Sequence, residues 1–211
     1  MTTDVQSCTK KSRGRPKVFD REAALDKAMT LFWQHGYEAT SLSDLVEATG
    51  AKAPTLYAEF TNKEGLFRAV LDRYISRFAA KHEAQLFCEE KSVEQALQDY
   101  FCAVATCFTS KDTPAGCFMI NTSATLAASS KEIANTVKSR HAMQEETLST
   151  FLAQRQQRGE IPAHCRPQEL AQYLSCILQG MSISAREGAT LEKLQSITQT
   201  TLRLWPELLK L

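Results

Sequence analysis

Apolar residues recur at helical spacing along almost the whole chain, and no sustained two-residue alternation of a strand appears. Asp20 opens the first such stretch as an N-cap with Glu22 in its first turn. Leu25, Ala28, Met29 and Phe32 then share one face, and Gly36 ends the stretch. A short second helix begins near Ser41, turns Leu42, Leu45 and Val46 inward, and ends at Gly50. A third covers Pro54 to Phe60, where a missing proline N–H is tolerated in the first turn. Thr61-Asn62-Lys63-Glu64 reads as a capping box for a fourth helix striped by Phe67, Val70, Leu71, Tyr74, Ile75 and Phe78.

Beyond residue 85 the helices lengthen. Ser92-Val93-Glu94-Gln95 is a second capping box, ahead of Ala96, Leu97, Tyr100, Phe101, Val104 and Phe108. Gly116 breaks the chain before a short apolar helix at 117–128, and a long polar-faced helix is expected over 131–158. After the turn Gly159-Glu160-Ile161-Pro162, Pro167 opens a helix stopped at Gly188. Thr190 caps the last one, which Pro206 is expected to end. The fold class is therefore all-α. The division expected is a basic arm at 1–17, a helix-turn-helix domain at 18–63 and a regulatory and dimerisation domain at 64–211.

The net charge is only +1, but its distribution is uneven. Residues 8–21 hold Lys10, Lys11, Arg13, Arg15, Lys17 and Arg21 against Asp20 alone, a localised field suited to a polyanion. The segment Met1–Lys17 has no apolar run of a secretory signal, and no stretch reaches the length of a membrane-spanning helix. A cytoplasmic protein with no membrane partner is the expectation. The cysteines, Cys8, Cys88, Cys102, Cys107, Cys117, Cys165 and Cys176, form no CxxC pair and fit a reducing compartment. His35, His82, His141 and His164 are scattered. No HExxH, Gly-rich phosphate loop or nucleophile–base set points to an enzyme.

The second and third helices, joined by Gly50-Ala51-Lys52, have the proportions of a helix-turn-helix. A reading helix must bring its N-terminus against base edges, which favours small side chains there. Lys52 can donate to guanine, Thr55 can bond a base or a phosphate, and Ala53 or Pro54 can pack on a thymine methyl. Thr40, Ser41 and Ser43 at the start of the second helix, Lys63 at the start of the fourth, and the Tyr57 hydroxyl are candidate phosphate contacts. Each also has a plainer explanation as a cap, surface or core residue.

The stretch from Gly14-Arg15-Pro16 through Ala23-Ala24-Leu25, Leu31-Phe32 and His35-Gly36-Tyr37-Glu38-Ala39-Thr40-Ser41 resembles the N-terminal domain of TetR/AcrR-type transcriptional regulators. So does Leu45 through Phe60, followed by Asn62-Lys63-Glu64-Gly65-Leu66. The resemblance implies a DNA-binding repressor, homodimeric, released from a near-palindromic double-stranded operator by a small effector. It implies phosphate contacts from Thr40, Tyr57 and Lys63, with the third helix in the major groove. Family members often carry His where Glu59 stands, so a phosphate contact from that position is not expected. Arg13 and Arg15 match members whose arm follows the DNA, and a narrow minor groove is their expected place. The whole chain also resembles copper-responsive enterobacterial members, a likeness that assigns no residue.

For the regulatory half, the resemblance implies that the last two helices build a four-helix bundle across the dimer. Leu170, Leu174, Ile177, Leu178, Met181, Leu194, Ile197 and Leu202 are the expected interface. Phe101, Phe108, Cys117, Met119, Met143, Phe151 and Tyr173 are candidates for an effector pocket, although an apolar helical face is more often plain core. No cofactor is required, and the effector, organic or metal, is unknown. An alternative function is sensing of a soft metal such as copper, or of an electrophile, through Cys102, Cys107, Cys117 and Cys176, with His141, His164 and Cys165 as possible neighbours. A further alternative is non-specific DNA binding.

Overall fold

A computed structural model describes residues 19–125 and 131–210. The basic arm with Arg13 and Arg15 lies outside the described residues. Among those described there is no strand, and no helix is long and apolar enough to cross a membrane. Helices α1 (Arg21–Ala39), α2 (Leu42–Thr49) and α3 (Ala53–Phe60) lead into α4 (Lys63–Tyr74). A π-helical turn, Ile75–Ala79, carries α4 without a break into the short α5 (Ala80–Glu83). There follow α6 (Val93–Phe108), α7 (Phe118–Thr125), α8 (Lys131–Gln157), α9 (Pro167–Arg186) and α10 (Leu191–Leu208).

The caps explain the starts. Asp20 accepts from the Ala23 N–H at 3.0 Å, Ser92 from Gln95 at 3.2 Å and Thr190 from Lys193 at 3.3 Å. Three local expectations need correction. Gly36 kinks the first helix rather than ending it, because its φ of 82° breaks the ladder for one residue and the coil resumes to Ala39. Asn62, not Thr61, caps α4: its side chain accepts from Gly65 at 2.8 Å, while Thr61 has a φ of 68° and lies outside the helix. Pro206 sits inside α10, which runs on to Leu208.

The N-terminal helices and the rest share one core. Phe32 and Trp33 on α1 meet Phe67 and Tyr74 on α4, edge to face, at centroid distances of 5.3 and 5.2 Å. Phe118 of α7 closes the cluster, 6.0 Å from Trp33, 5.6 Å from Phe67 and 5.3 Å from Tyr74. Each such pair adds about 0.5–1.5 kcal/mol to what burial alone contributes. Ion pairs reinforce the seam. Arg73 donates through Nε and Nη2 to the two carboxylate oxygens of Asp26 at 2.7 and 2.8 Å, and its Nη1 pairs with Glu22. Arg77 donates to the same Asp26 at 2.8 Å. Together they fasten α4 and its π-turn to α1.

The regulatory helices correct part of the expected dimer face. Leu170, Leu174, Leu178, Met181 and Leu194 are buried within the protomer, where α8 packs on α9 and α6 packs on α10. The stripe of highest hydrophobicity faces the chain's own core. Ile177, Ile197 and Leu202 are only partly covered, and Tyr173 joins them. Ile183 and Leu204, which the apolar stripes did not single out, are 52% and 47% exposed.

Candidate nucleic-acid interface

The turn between α2 and α3 is built on Gly50, whose φ of 69° is open to glycine at no steric cost. Its N–H closes α2 on the Val46 carbonyl at 3.0 Å. Leu45 and Leu56 are buried and hold the two helices together. Their outward residues are then fixed: Lys52, Pro54 and Tyr57 are exposed, and Ala53 and Thr55 are half-buried. Lys52 is the N-cap of α3 without a side-chain hydrogen bond to the helix. The first N–H groups of α3 therefore keep no side-chain acceptor, and their partial positive charge adds to that of Lys52.

The start of α2 differs from expectation. Ser41 Oγ accepts from the Asp44 N–H at 3.1 Å, and Asp44 Oδ2 accepts from both the N–H and the hydroxyl of Ser41 at 2.7 Å. Those bonds hold the Asp44 carboxyl below the usual aspartate range. The helix dipole thus already has its anion, and a phosphate approaching Ser41 or Ser43 meets a carboxylate. Thr40 is likewise turned inward. It is 1% exposed, and its hydroxyl donates to the Gly36 carbonyl at 2.8 Å, bracing the α1 kink. A side-chain phosphate contact from Thr40 is not available in this arrangement.

Lys63 fits its expected place better. Its ammonium lies 4.3 Å from the Tyr37 ring centroid and 3.5 Å from the Glu38 carbonyl oxygen. Partial burial pulls its pKa below the ordinary lysine value, and Glu38 and Asp44 pull it back up. Tyr57 is 44% exposed, with its hydroxyl free of any core role.

Sequence reasoning missed the partner of Glu59. Arg21, at the start of α1, donates through Nε to Glu59 Oε1 at 2.7 Å and lies 5.4 Å from the Phe60 ring. The pair neutralises the acid that stands where relatives often have His. Its two halves are far apart in sequence, so no local spacing signals it. A further departure from expectation concerns the effector candidates. Phe101, Phe108, Cys117 and Phe151 are packed core, Tyr173 is half-exposed on α9, and Met119 and Met143 line one cavity together. Of the thiols, Cys117 Sγ is 3.4 Å from the Tyr74 hydroxyl, while Cys165 Sγ and His164 Nε2 engage the Leu209 carbonyl at 3.2 and 3.0 Å. Among the described residues no group of three or more His, Cys, Asp or Glu could hold a metal.

Residues 24–70 match the model of bacterial regulatory proteins of the tetR family, and residues 93–200 match a tetracyclin repressor-like C-terminal domain. The chain is 80% identical over 210 residues, covering 100% of both proteins, to the HTH-type transcriptional repressor ComR of Escherichia coli strain K12. It is 30% identical over 181 residues, 86% of each protein, to the HTH-type transcriptional repressor BdcR of the same strain. Among solved structures, a cysteine mutant of the TetR family regulator CifR, complexed with a 26-bp double-strand operator, superposes with a TM-score of 0.86 at 30% identity, covering 91% of this chain and 100% of that one. The helix-turn-helix, the all-helical regulatory half and these likenesses agree: the chain belongs to the tetR family of bacterial regulatory proteins, which are regulators and not enzymes.

Proposed function

We propose that the protein is a homodimeric repressor that reads a near-palindromic operator through α3 and leaves it when a small effector binds the regulatory half. The observation that carries this is the outward row Lys52, Ala53, Pro54, Thr55 and Tyr57 at the start of α3, with Lys63 beside it. ComR, BdcR and the operator-bound CifR supply the analogy for repression. Lys52, Ala53, Pro54 and Thr55 read bases, and Tyr57 and Lys63 hold phosphates. Arg13 and Arg15 extend the contact into the minor groove. The second copy docks on the face of α9 and α10 left open by the protomer: Tyr173, Ile177, Ile183, Ile197, Leu202 and Leu204. Such a dimer sets its recognition helices one helical turn of DNA apart, about 34–36 Å. The division at 63/64 falls where α4 begins, so that helix serves both halves. A repressor of this kind works in the cytoplasm.

Gel shifts with the DNA upstream of its own gene test the reading. Salt-sensitive binding that an unrelated duplex cannot compete away supports it. Equal affinity for any duplex makes the protein a non-specific binder, and no binding refutes both. The thiols lend a sensor reading little support. Burial pushes Cys107 up to about 11 and Cys117 up as well, which leaves little nucleophilic thiolate at neutral pH.

A further inference from the structure

Between the π-turn and α8 lies a cavity of about 70 Å³. Ile75 and Ala79 of the π-turn, Glu83 of α5, Met119 of α7 and Arg140, Met143, Gln144 and Thr147 of α8 line it. Ile75, Ala79, Met119 and Met143 make the apolar part of its wall, and Glu83 is its acid, beside the polar Arg140, Gln144 and Thr147. That carboxylate is half-buried, and no hydrogen bond or ion pair reaches it among the described residues. The cation nearest to hand is already committed. Arg140, also on the wall, pairs with Asp72 at 2.7 Å and rests its Nη1 on the Met143 sulfur at 3.8 Å. Gln144 donates to the Tyr100 hydroxyl at 3.3 Å. A half-buried carboxylate on a partly apolar cavity, with the neighbouring guanidinium paired elsewhere, costs free energy that a cationic guest relieves.

We propose that this cavity is the effector site and that it takes the ammonium group of a small aliphatic amine. The ammonium donates to Glu83, and the alkyl body lies against Ile75, Ala79 and the Met119 and Met143 thioethers. Met143 is 55% exposed and also borders, with Arg140, an open cleft of about 490 Å³ on the outer side of α8. A longer body leaves by that route. The burial that already lifts the Glu83 carboxyl above the ordinary glutamate range has the same origin as its appetite for a cation. The position also suits signalling. Ile75 and Ala79 belong to the π-turn, whose own Arg77, with Arg73 just before it, grips Asp26 of α1. This assignment rests on the repressor reading above only for its consequence, not for the binding itself.

The test is an amide NMR titration of the full chain at neutral pH and fixed ionic strength with isoamylamine, isoamyl alcohol and isovalerate, three probes with the same alkyl body. The amine is expected to shift amides in 75–83 and 143–147 and to bind at least about tenfold more tightly than the other two, the worth of one charge-assisted hydrogen bond. Glu83→Gln removes that preference, while Glu146→Gln, a change on the exposed side of α8, keeps it. Ala79→Leu fills the cavity with the carboxylate intact and is expected to lose the amine too, which covers the case in which Glu83→Gln fails to fold. Equal binding of amine and alcohol overturns the proposal. So does amine affinity unchanged in Glu83→Gln, or shifts that map elsewhere. Amine binding as described without any change in operator affinity upholds the site and overturns release by this route.

Discussion

Lys63 has two attachments, the Tyr37 ring and the Glu38 carbonyl, and both keep its ammonium at the edge of α4 rather than free in solvent. A cation held in place meets a phosphate at lower entropic cost than a mobile one. Lys63→Ala is expected to weaken operator and random DNA alike and to lower the slope of log affinity against log salt by about 1. Lys52→Ala is expected to act differently. It should cost about 1–3 kcal/mol on the operator and relax preference at one base pair, as selection over a randomised operator would report. Thr40 is a third case, because its hydroxyl works inside the protein. Thr40→Val is expected to cost about 1 kcal/mol of stability through the lost bond to Gly36, seen in thermal melts, with operator affinity changed only through folding. Asp44 adds a pH signature: its carboxyl pKa is depressed in the fold by the Ser41 bonds, so the α2 cap is fully present above the ordinary aspartate value and is lost as pH falls through the depressed one.

At the scale of elements, the joint between α3 and α4 leaves no room for a side chain at Gly65. A Cβ on Gly65 would collide with the Phe60 carbonyl oxygen, so the two helices can meet at this angle only over a glycine. Gly65→Ala is expected to abolish operator binding while the regulatory helices stay folded, a split that circular dichroism and gel shift together would reveal. The helices themselves were legible from periodicity and caps, because Asp20, Ser92 and Thr190 act locally. The outward face of α3 was legible for the same reason: once Leu45 and Leu56 turn inward, helical geometry fixes what faces out. What depended on distant partners was not. Arg21 and Glu59, or Arg73 and Asp26, meet only in the folded chain. On α9, Leu174 and Leu178 of the expected dimer stripe are buried in their own chain, because hydrophobicity marks burial without saying in which chain.

For the molecule as a whole, the exposed Ile183 and Leu204 sit on the helices proposed to face a second copy. Ile183→Glu with Leu204→Lys is expected to give a folded monomer by sedimentation velocity. Its operator affinity should fall far more than its affinity for a half-site, since both recognition helices no longer arrive together. The aromatic cluster and the clamp on Asp26 join α1 to the regulatory half, and both depend on α4 and the π-turn that follows it. A π-turn holds one residue more than the α-helix would use. Closing it to α geometry turns the two flanking segments against each other by about 100° and shifts them by about 1.5 Å. The offset is one whole residue of register, like a single tooth of a ratchet. A push from the regulatory half that closed this turn would therefore reach α1 as one discrete step in register.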